Sequence, residues 1–153
     1  MAGSFAVTTS ALTLAQNDQM LILWYDTGAV EAHVKKILWD TDAAVTSMRQ
    51  MAVRLVSSGG SGGTTPTPTD LDSGNDAASY VCRVGATSGG TDAGILFVTG
   101  CVADYEIPIV FYFVDPMELI LRSDTDPEGV ALELLTSPST EDYGGTITWE
   151  EVA

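Results

Sequence analysis

The stretch that most resembles a catalytic motif is rich in glycine and serine. Gly59, Ser61 and Gly63 spell G-x-S-x-G, the pattern that presents a hydrolase serine on a sharp turn between a buried strand and a helix. Residues 64–69 follow as TTPTPT, in which alternating prolines prevent the required helix from starting. We therefore attribute the match to local Gly and Ser bias and predict no catalytic role for Ser61.

His33 is the one histidine of the chain, so a Ser–His–Asp or Cys–His arrangement would have to use it. It precedes Lys35 and Lys36 in a strand-like run, and no second group is tied to it by spacing. An imidazole that packs or faces solvent fits this context better. We predict that the protein is not an enzyme, with a small hydrolase that uses Ser61 or His33 as the alternative.

One acidic turn could attract a hard cation. Asp124, Asp126 and Glu128 resemble the first half of a calcium loop. The bidentate glutamate of an EF-hand would fall on position 135, which is Leu135. We predict a turn between two strands here, with weak calcium binding of another kind as the alternative.

The remaining candidate ligands lack the spacing of a metal site. Asp70, Asp72 and Asp76 follow a flexible stretch and are typical of solvated turns. Cys82 and Cys101 are too few for a disulfide framework, so we expect two buried thiols and leave their pairing open. The sequence predicts no metal and no cofactor.

Charge excludes two classes of partner. Six Lys and Arg residues stand against 21 Asp and Glu residues, a formal net charge of −15. Phosphate backbones and anionic membranes both require a basic patch, which this composition does not supply. No apolar run approaches the roughly 20 residues of a membrane span, and the first residues lack the features of a signal peptide. We expect synthesis in the cytosol and no small-molecule substrate, nucleic acid or membrane as partner.

Strands are the elements that would position all these residues. Short runs rich in β-branched, aromatic and apolar residues recur with the spacing of a sandwich or jelly roll. They cover residues 5–9, 20–25, 33–39, 51–56, 80–84, 95–102, 107–114, 117–121, 130–135 and 146–150. The pattern predicts one all-β domain over residues 1–153, a jelly-roll-like antiparallel β-sandwich of about nine or ten short strands.

Two segments interrupt the strand pattern. Residues 42–54 permit either a helix with Asp42 as N-cap or a loop that enters a strand. Residues 57–69, SSGGSGGTTPTPT, predict a long, flexible and exposed loop within the domain. Because loop-closure entropy depends weakly on length, a shorter Gly-Ser turn in place of 59–63 would be expected to change stability by less than about 1 kcal/mol.

The apolar runs at 95–102 and 107–114 predict central strands that are buried on both faces. The second run contains an unbroken apolar series: Val110, Phe111, Tyr112 and Phe113. One face of this series would pack in the core, and a second chain would cover the other. The four residues are therefore predicted as core contacts or contacts of a homo-oligomer.

Several blocks, in order, resemble a known group of proteins. They are VTTSALTLAQNDQMLIL at 7–23, HVKKILWDTD at 33–42, MAVRLV at 51–56, a threonine-rich loop with TPTD at 67–70, and TWEE at 148–151. Together they are similar to small β-rich virion proteins of tailed bacteriophages, the jelly-roll-like capsid decoration or cement proteins. The resemblance spans nearly the whole chain as an order of blocks.

This resemblance implies a viral structural protein on the outer surface of the capsid, usually a homotrimer, which binds the major capsid protein. Exposed apolar side chains and free strand edges would make those contacts, and the acidic balance would belong on the outer face. The alternative is a carbohydrate- or receptor-binding β-module of a phage tail or fibre, which needs exposed aromatic residues. Trp24, Trp39 and Trp149 are the candidates, but each lies in a strand-like run that predicts a core position.

Overall fold

The computed structural model describes residues 3–25, 30–43, 47–72, 77–101, 108–122 and 129–152. These residues form eleven strands and no helix. The strands are β1 (Gly3–Leu12), β2 (Gln19–Tyr25), β3 (Glu31–Thr41), β4 (Arg49–Val56), β5 (Thr69–Asp70), β6 (Tyr80–Val84), β7 (Asp92–Cys101), β8 (Ile109–Tyr112), β9 (Leu119–Arg122), β10 (Gly129–Leu134) and β11 (Tyr143–Val152). In the described part of the chain, no helix is long and apolar enough to cross a membrane.

The strands form two antiparallel sheets. The first sheet has the order β5-β1-β11-β3-β8, and β9 pairs with β3 beside β8. The second sheet has the order β6-β2-β10-β4-β7. The predicted all-β, antiparallel β-sandwich is confirmed, with eleven strands where the sequence indicated about nine or ten.

The pairing is nested along the chain. β1 pairs with β11, β2 with β10, β3 with β8 and β9, and β4 with β7. The first four strands alternate between the two sheets, and each of them pairs with a strand from later in the chain. The insertion between β4 and β7 contributes β5 and β6. β5 pairs with β1 at the edge of the first sheet away from β8, and β6 pairs with β2 at the edge of the second sheet away from β7.

Alternating side chains fill the space between the sheets. In β11, Ile147, Trp149 and Glu151 are buried, whereas Thr148 and Glu150 are half-exposed. The largest fully buried side chains in this layer are Trp39, Trp149, Tyr80, Tyr143, Met20, Leu21, Leu23, Ile37, Met51, Leu121 and Leu132. Burial of a large apolar side chain contributes about 1.5–3 kcal/mol, so this layer dominates the stability of the fold.

The second sheet is also covered on its outer face. Ile22, Val56, Ala86 and Ala131 form a small apolar cluster there, and Trp24 packs against it. This explains why residues 19–23 of β2 and all of β10 are buried without alternation, since both faces of these strands are covered. The segments that lie over this face are residues 57–64 and 85–91, the covering segments, joined by backbone pairs between Ser61 and Ser88.

The covering segments change the expectation for the glycine-rich loop. Residues 61–65 are exposed, but Gly59 is buried against the ring of Trp24. The Arg83 guanidinium donates hydrogen bonds to the carbonyl oxygens of Gly59 and Gly62, both at 2.8 Å. Because this half of the loop packs on the sheet, we no longer expect it to be dispensable for stability.

Of the two structures allowed for residues 42–54, the strand is the one found. β4 begins at Arg49, so no helix runs through the second half of the segment. Residues 44–46 lie outside the described part of the chain. The alternation of Met51 and Val53 toward the core outweighs the helical spacing of the preceding apolar residues.

The prediction that 95–102 and 107–114 are central strands is wrong for 95–101 and 108–114, whereas residues 102 and 107 lie outside the described part of the chain. β7 ends the second sheet and β8 ends the first, so both are edge strands. Their inward side chains pack in the core, but several outward ones face solvent. A continuous apolar run fits an edge strand with an exposed apolar face as well as a central strand that is buried on both faces. Only the pairing with distant strands decides which of the two forms.

Candidate functional site

The structure does not bring the two candidate catalytic residues together. Ser61 lies in a covering segment, where its backbone N–H donates to the Ser88 carbonyl at 2.8 Å. His33 lies in β3 between the buried Ala32 and Val34, so its side chain is on the outer face of the first sheet. The sandwich separates the two side chains.

His33 contacts two carboxylates instead. Its Nε2 is 3.4 Å from Glu31, and its Nδ1 is 3.7 Å from Glu118. Because the two carboxylates face opposite ring nitrogens, one metal ion cannot bind the imidazole and both acids. Across the described part of the chain, no group of three or more His, Cys, Asp or Glu side chains is arranged to hold a metal ion.

The acidic turns are described only in part. Asp124, Asp126, Glu128 and Asp76 lie outside the described residues. The Asp70 carboxylate accepts a hydrogen bond from the backbone N–H of Asp72 at 2.9 Å, which is the local contact of an acidic turn.

The tryptophans do not form a ligand groove. Trp39 and Trp149 are fully buried, and the Trp39 indole N–H donates to the Thr99 hydroxyl across the sandwich at 2.7 Å. Trp24 is partly buried below the covering segments, with the Arg83 guanidinium 5.1 Å from its ring centroid. The predicted core position holds for Trp39 and Trp149.

An exposed apolar surface lies where β7 and β8 end the two sheets. Its residues, here named the apolar edge, are Ile95, Leu96, Val98, Tyr112, Val114 and Met117, with exposed fractions from 40% to 76%. The segment between β8 and β9 carries Val114 and Met117. Large apolar side chains this exposed, gathered at one edge of a sandwich, are typical of a surface that binds another molecule.

The predicted residues 110–113 divide between the core and this surface. Phe111 and Phe113 contact the Phe97 ring across the sandwich, with centroid distances of 4.6 and 5.9 Å. Tyr112 is 70% exposed, and Val110 is half-buried on the outer face of the first sheet. Phe111 and Phe113 are thus contacts within the sandwich, whereas the oligomer contact stays a prediction.

A pocket opens within the apolar edge. It has a volume of about 230 Å³ and is lined by Leu96, Phe97, Phe113, Met117, Glu118 and Leu119. Five of these residues are apolar. The sixth, Glu118, is exposed at the rim, and its carboxylate lies 3.7 Å from His33 Nδ1. The pocket lies where the second sheet's last strand faces the segment between β8 and β9.

A buried polar cluster escaped the sequence analysis. The carboxylate of Glu141 pairs with Arg49, and both side chains are almost fully buried. Glu141 also accepts hydrogen bonds from the Tyr143 hydroxyl at 2.6 Å, the Ser139 hydroxyl at 2.7 Å and the Thr140 N–H at 3.1 Å. No sequence pattern links these residues, because Arg49 and Glu141 are 92 positions apart.

The cluster is built to keep its charges. Burial by itself raises the pKa of Glu141, but hydrogen bonds from Arg49 and Tyr143 outweigh burial and hold this pKa well below its usual range. The hydrogen bond to Glu141 raises the pKa of Arg49. Burial and the same carboxylate raise the pKa of Tyr143. With its partners in place, the cluster has a structural role that joins β4 to the start of β11.

A second buried carboxylate joins the two sheets at the other end of β11. Glu151 accepts hydrogen bonds from the backbone N–H groups of Ser79 and Tyr80, the shortest at 2.8 Å, and from the Trp149 indole at 3.2 Å. Cys82 is a free, buried thiol, and burial followed by the charge of Glu151 raises its pKa. A buried thiol of this kind behaves as a small core residue.

No protein-family model matches this chain, and comparisons with curated proteins and with solved structures find no match either.

Proposed function

We propose that this protein is a non-enzymatic structural protein of a bacteriophage virion, which decorates and stabilises the capsid through protein–protein contacts. It acts on the outer capsid surface after synthesis in the host cytoplasm, and its partner is the major capsid protein. The observation that carries the proposal is the apolar edge, which supplies a binding surface on an otherwise highly charged molecule.

The phage setting is supported by the resemblance of the sequence blocks and by the strand connectivity. Nested antiparallel pairs that alternate between two sheets are a pattern also expected of a jelly roll, a fold common among viral capsid domains. A fold by itself does not specify a function, because one fold hosts many functions. The connectivity therefore supports only the proposed phage setting, whereas the exposed apolar surface supports binding to another protein.

Copies of the protein are also proposed to associate, as a trimer on the strength of the resemblance. Of the four residues that the sequence predicts as core or oligomer contacts, Val110 and Tyr112 face outward and would make this contact. A net charge of −15 on each copy opposes this association, and salt screens the repulsion over roughly 10 Å at 0.1 M. The affinity of the copies for each other should therefore rise with ionic strength. Sedimentation across a salt series would measure this affinity. Dissociation by salt would contradict an apolar contact.

Capsid binding can be tested with shells assembled from the major capsid protein encoded beside this gene. The wild-type protein should co-sediment with the shells. Val98→Asp, on the outer side of β7, should weaken binding by about tenfold or more, because it places a charge in the contact. A neighbourhood without a capsid gene, or shells that do not bind the protein, would refute the proposal.

The chain offers a matched control for this experiment. Leu71 is 52% exposed, similar to Val98 at 46%, but it follows β5 at the opposite edge of the sandwich. Leu71→Asp should leave shell binding unchanged. An equal loss in both variants would indicate a general effect of charge and not a contact at the apolar edge.

A further inference from the structure

The size of the pocket at the apolar edge limits what it can hold. Binding sites for drug-sized molecules usually enclose about 300–1,000 Å³, whereas an apolar cavity of about 150 Å³ accommodates benzene. At about 230 Å³, this pocket matches one ring-sized or long aliphatic side chain. Pockets of this kind receive the central anchor residue of a protein interface.

The acidic residues near the pocket indicate which partner residues would flank the anchor side chain. Glu118 is part of the pocket lining, and the exposed Asp115 lies in the same segment between β8 and β9. The chain as a whole carries −15, so its field attracts cations and repels acidic chains. An occupant with Lys or Arg beside the anchor would complement this rim.

A second copy of the protein supplies few such cations. Its Lys and Arg residues are Lys35, Lys36, Arg49, Arg54, Arg83 and Arg122. Four of them form ion pairs with described carboxylates, and Arg83 is held by backbone carbonyls and the Trp24 ring. Among the contacts of the described residues, only Lys36 has no such partner. This shortage of available cations favours a different chain as the occupant.

The backbone of β7 argues against simple strand addition. Its register with β4 shifts twice, with Leu96 as the extra residue at one bulge. Bulges of this kind twist an edge away from a neighbouring strand and discourage continuous pairing. Recognition would depend on an inserted side chain and not on an added row of backbone hydrogen bonds.

We infer that the pocket binds a segment of a partner protein that inserts an aromatic or long aliphatic side chain, with Lys or Arg close to it in sequence. This inference deepens the proposed function, and it rests on that function only for the identity of the partner as a capsid protein. The recognition chemistry itself comes from the pocket, its rim and the charge of the chain.

Fluorescently labelled peptides test this inference on the full chain by anisotropy. The probe is a seven-residue extended peptide with a central phenylalanine and an arginine two positions away on each side. It should bind at least about tenfold more tightly than a peptide with alanine at the centre, because the ring fills the pocket. It should also bind at least about tenfold more tightly than one with glutamates in place of the arginines, and its affinity should fall with added salt.

Two variants locate the site. Met117 is 76% exposed, so Met117→Asp should keep the fold, as an unchanged thermal midpoint would verify, and lose most of the binding. Glu118→Gln keeps the shape of the rim, so it should preserve the preference for phenylalanine and reduce that for arginine. Equal affinity for all peptides, no binding of any, or wild-type binding by Met117→Asp would overturn the inference. Self-association lost in Met117→Asp would overturn it in favour of a second copy.

The two proposals can fail separately. Shell binding that Val98→Asp weakens but Met117→Asp does not would leave the proposed function standing and remove the pocket as the contact. Peptide binding that obeys the pocket variants, without any binding to shells, would sustain the recognition chemistry and remove the capsid as the partner.

Discussion

Arg49→Ala should destabilise the protein by about 3–5 kcal/mol, because it leaves a buried carboxylate without its cation. Glu141 is almost fully buried, and the remaining hydroxyl and N–H donors do not neutralise its charge. Urea denaturation at neutral pH would measure the loss. A change below about 1 kcal/mol would mean that the Arg49–Glu141 pair is not a buried pair in solution.

An exposed pair gives the control for this prediction. Lys35 is 3.2 Å from Glu150 on the solvent side of the first sheet, so Lys35→Ala should change stability far less. The pH dependence should identify Glu141 as the cause. Its pKa is lowered in the fold, so its contribution is present above the unfolded value of about 4.3 and is lost as pH falls below that value. The stability difference between wild type and Glu141→Gln should be largest at neutral pH and shrink in acid.

Gly60→Ala should cost about 2–5 kcal/mol, the second large effect. Gly60 has a φ of +63°, a left-handed conformation that costs other residues about 1–2 kcal/mol. A Cβ at this position would also lie 2.3 Å from the Ser88 carbonyl oxygen, which forces the covering segments apart and adds about 1–3 kcal/mol. Thermal or urea unfolding would measure the sum.

Gly85 separates the two contributions. Its φ of +61° is nearly the same, but the nearest atom to an added Cβ is a Leu12 side-chain carbon at 3.6 Å, an ordinary contact. Gly85→Ala should therefore show only the backbone strain of about 1–2 kcal/mol. Equal effects in the two variants would mean that the glycine-rich loop does not pack on the second sheet, and the expectation of a dispensable loop would be restored.

The sequence predicted most of the strands because their alternation is local. Tyr80, Cys82 and Val84 alternate toward the core in β6, and the same period marks the inward side chains of β11. The absence of long helical patterns also led to the all-β class. Boundaries differ by a few residues, since pairing partners and not the run itself decide where a strand ends.

The candidate site was visible in the sequence only as composition. The apolar series at 110–113 indicated a surface that needs a partner, but it did not indicate which of its side chains would be exposed. Phe111 and Phe113 point to Phe97 because β8 alternates beside β3, whereas Tyr112 points outward. The pocket joins Leu96 to Met117, which are distant in sequence and meet only because two sheet edges adjoin.

The sequence by itself determined the strand class, the strong negative charge and the lack of a recognisable catalytic spacing, because each depends on composition or on neighbours along the chain. Tertiary structure alone decided that β7 and β8 lie at sheet edges and that Gly59 packs over the ring of Trp24. It also decided that Arg49 meets Glu141. Edge position, close backbone approach and ion pairing depend on which distant segments become neighbours, and hydrophobic period does not encode that choice.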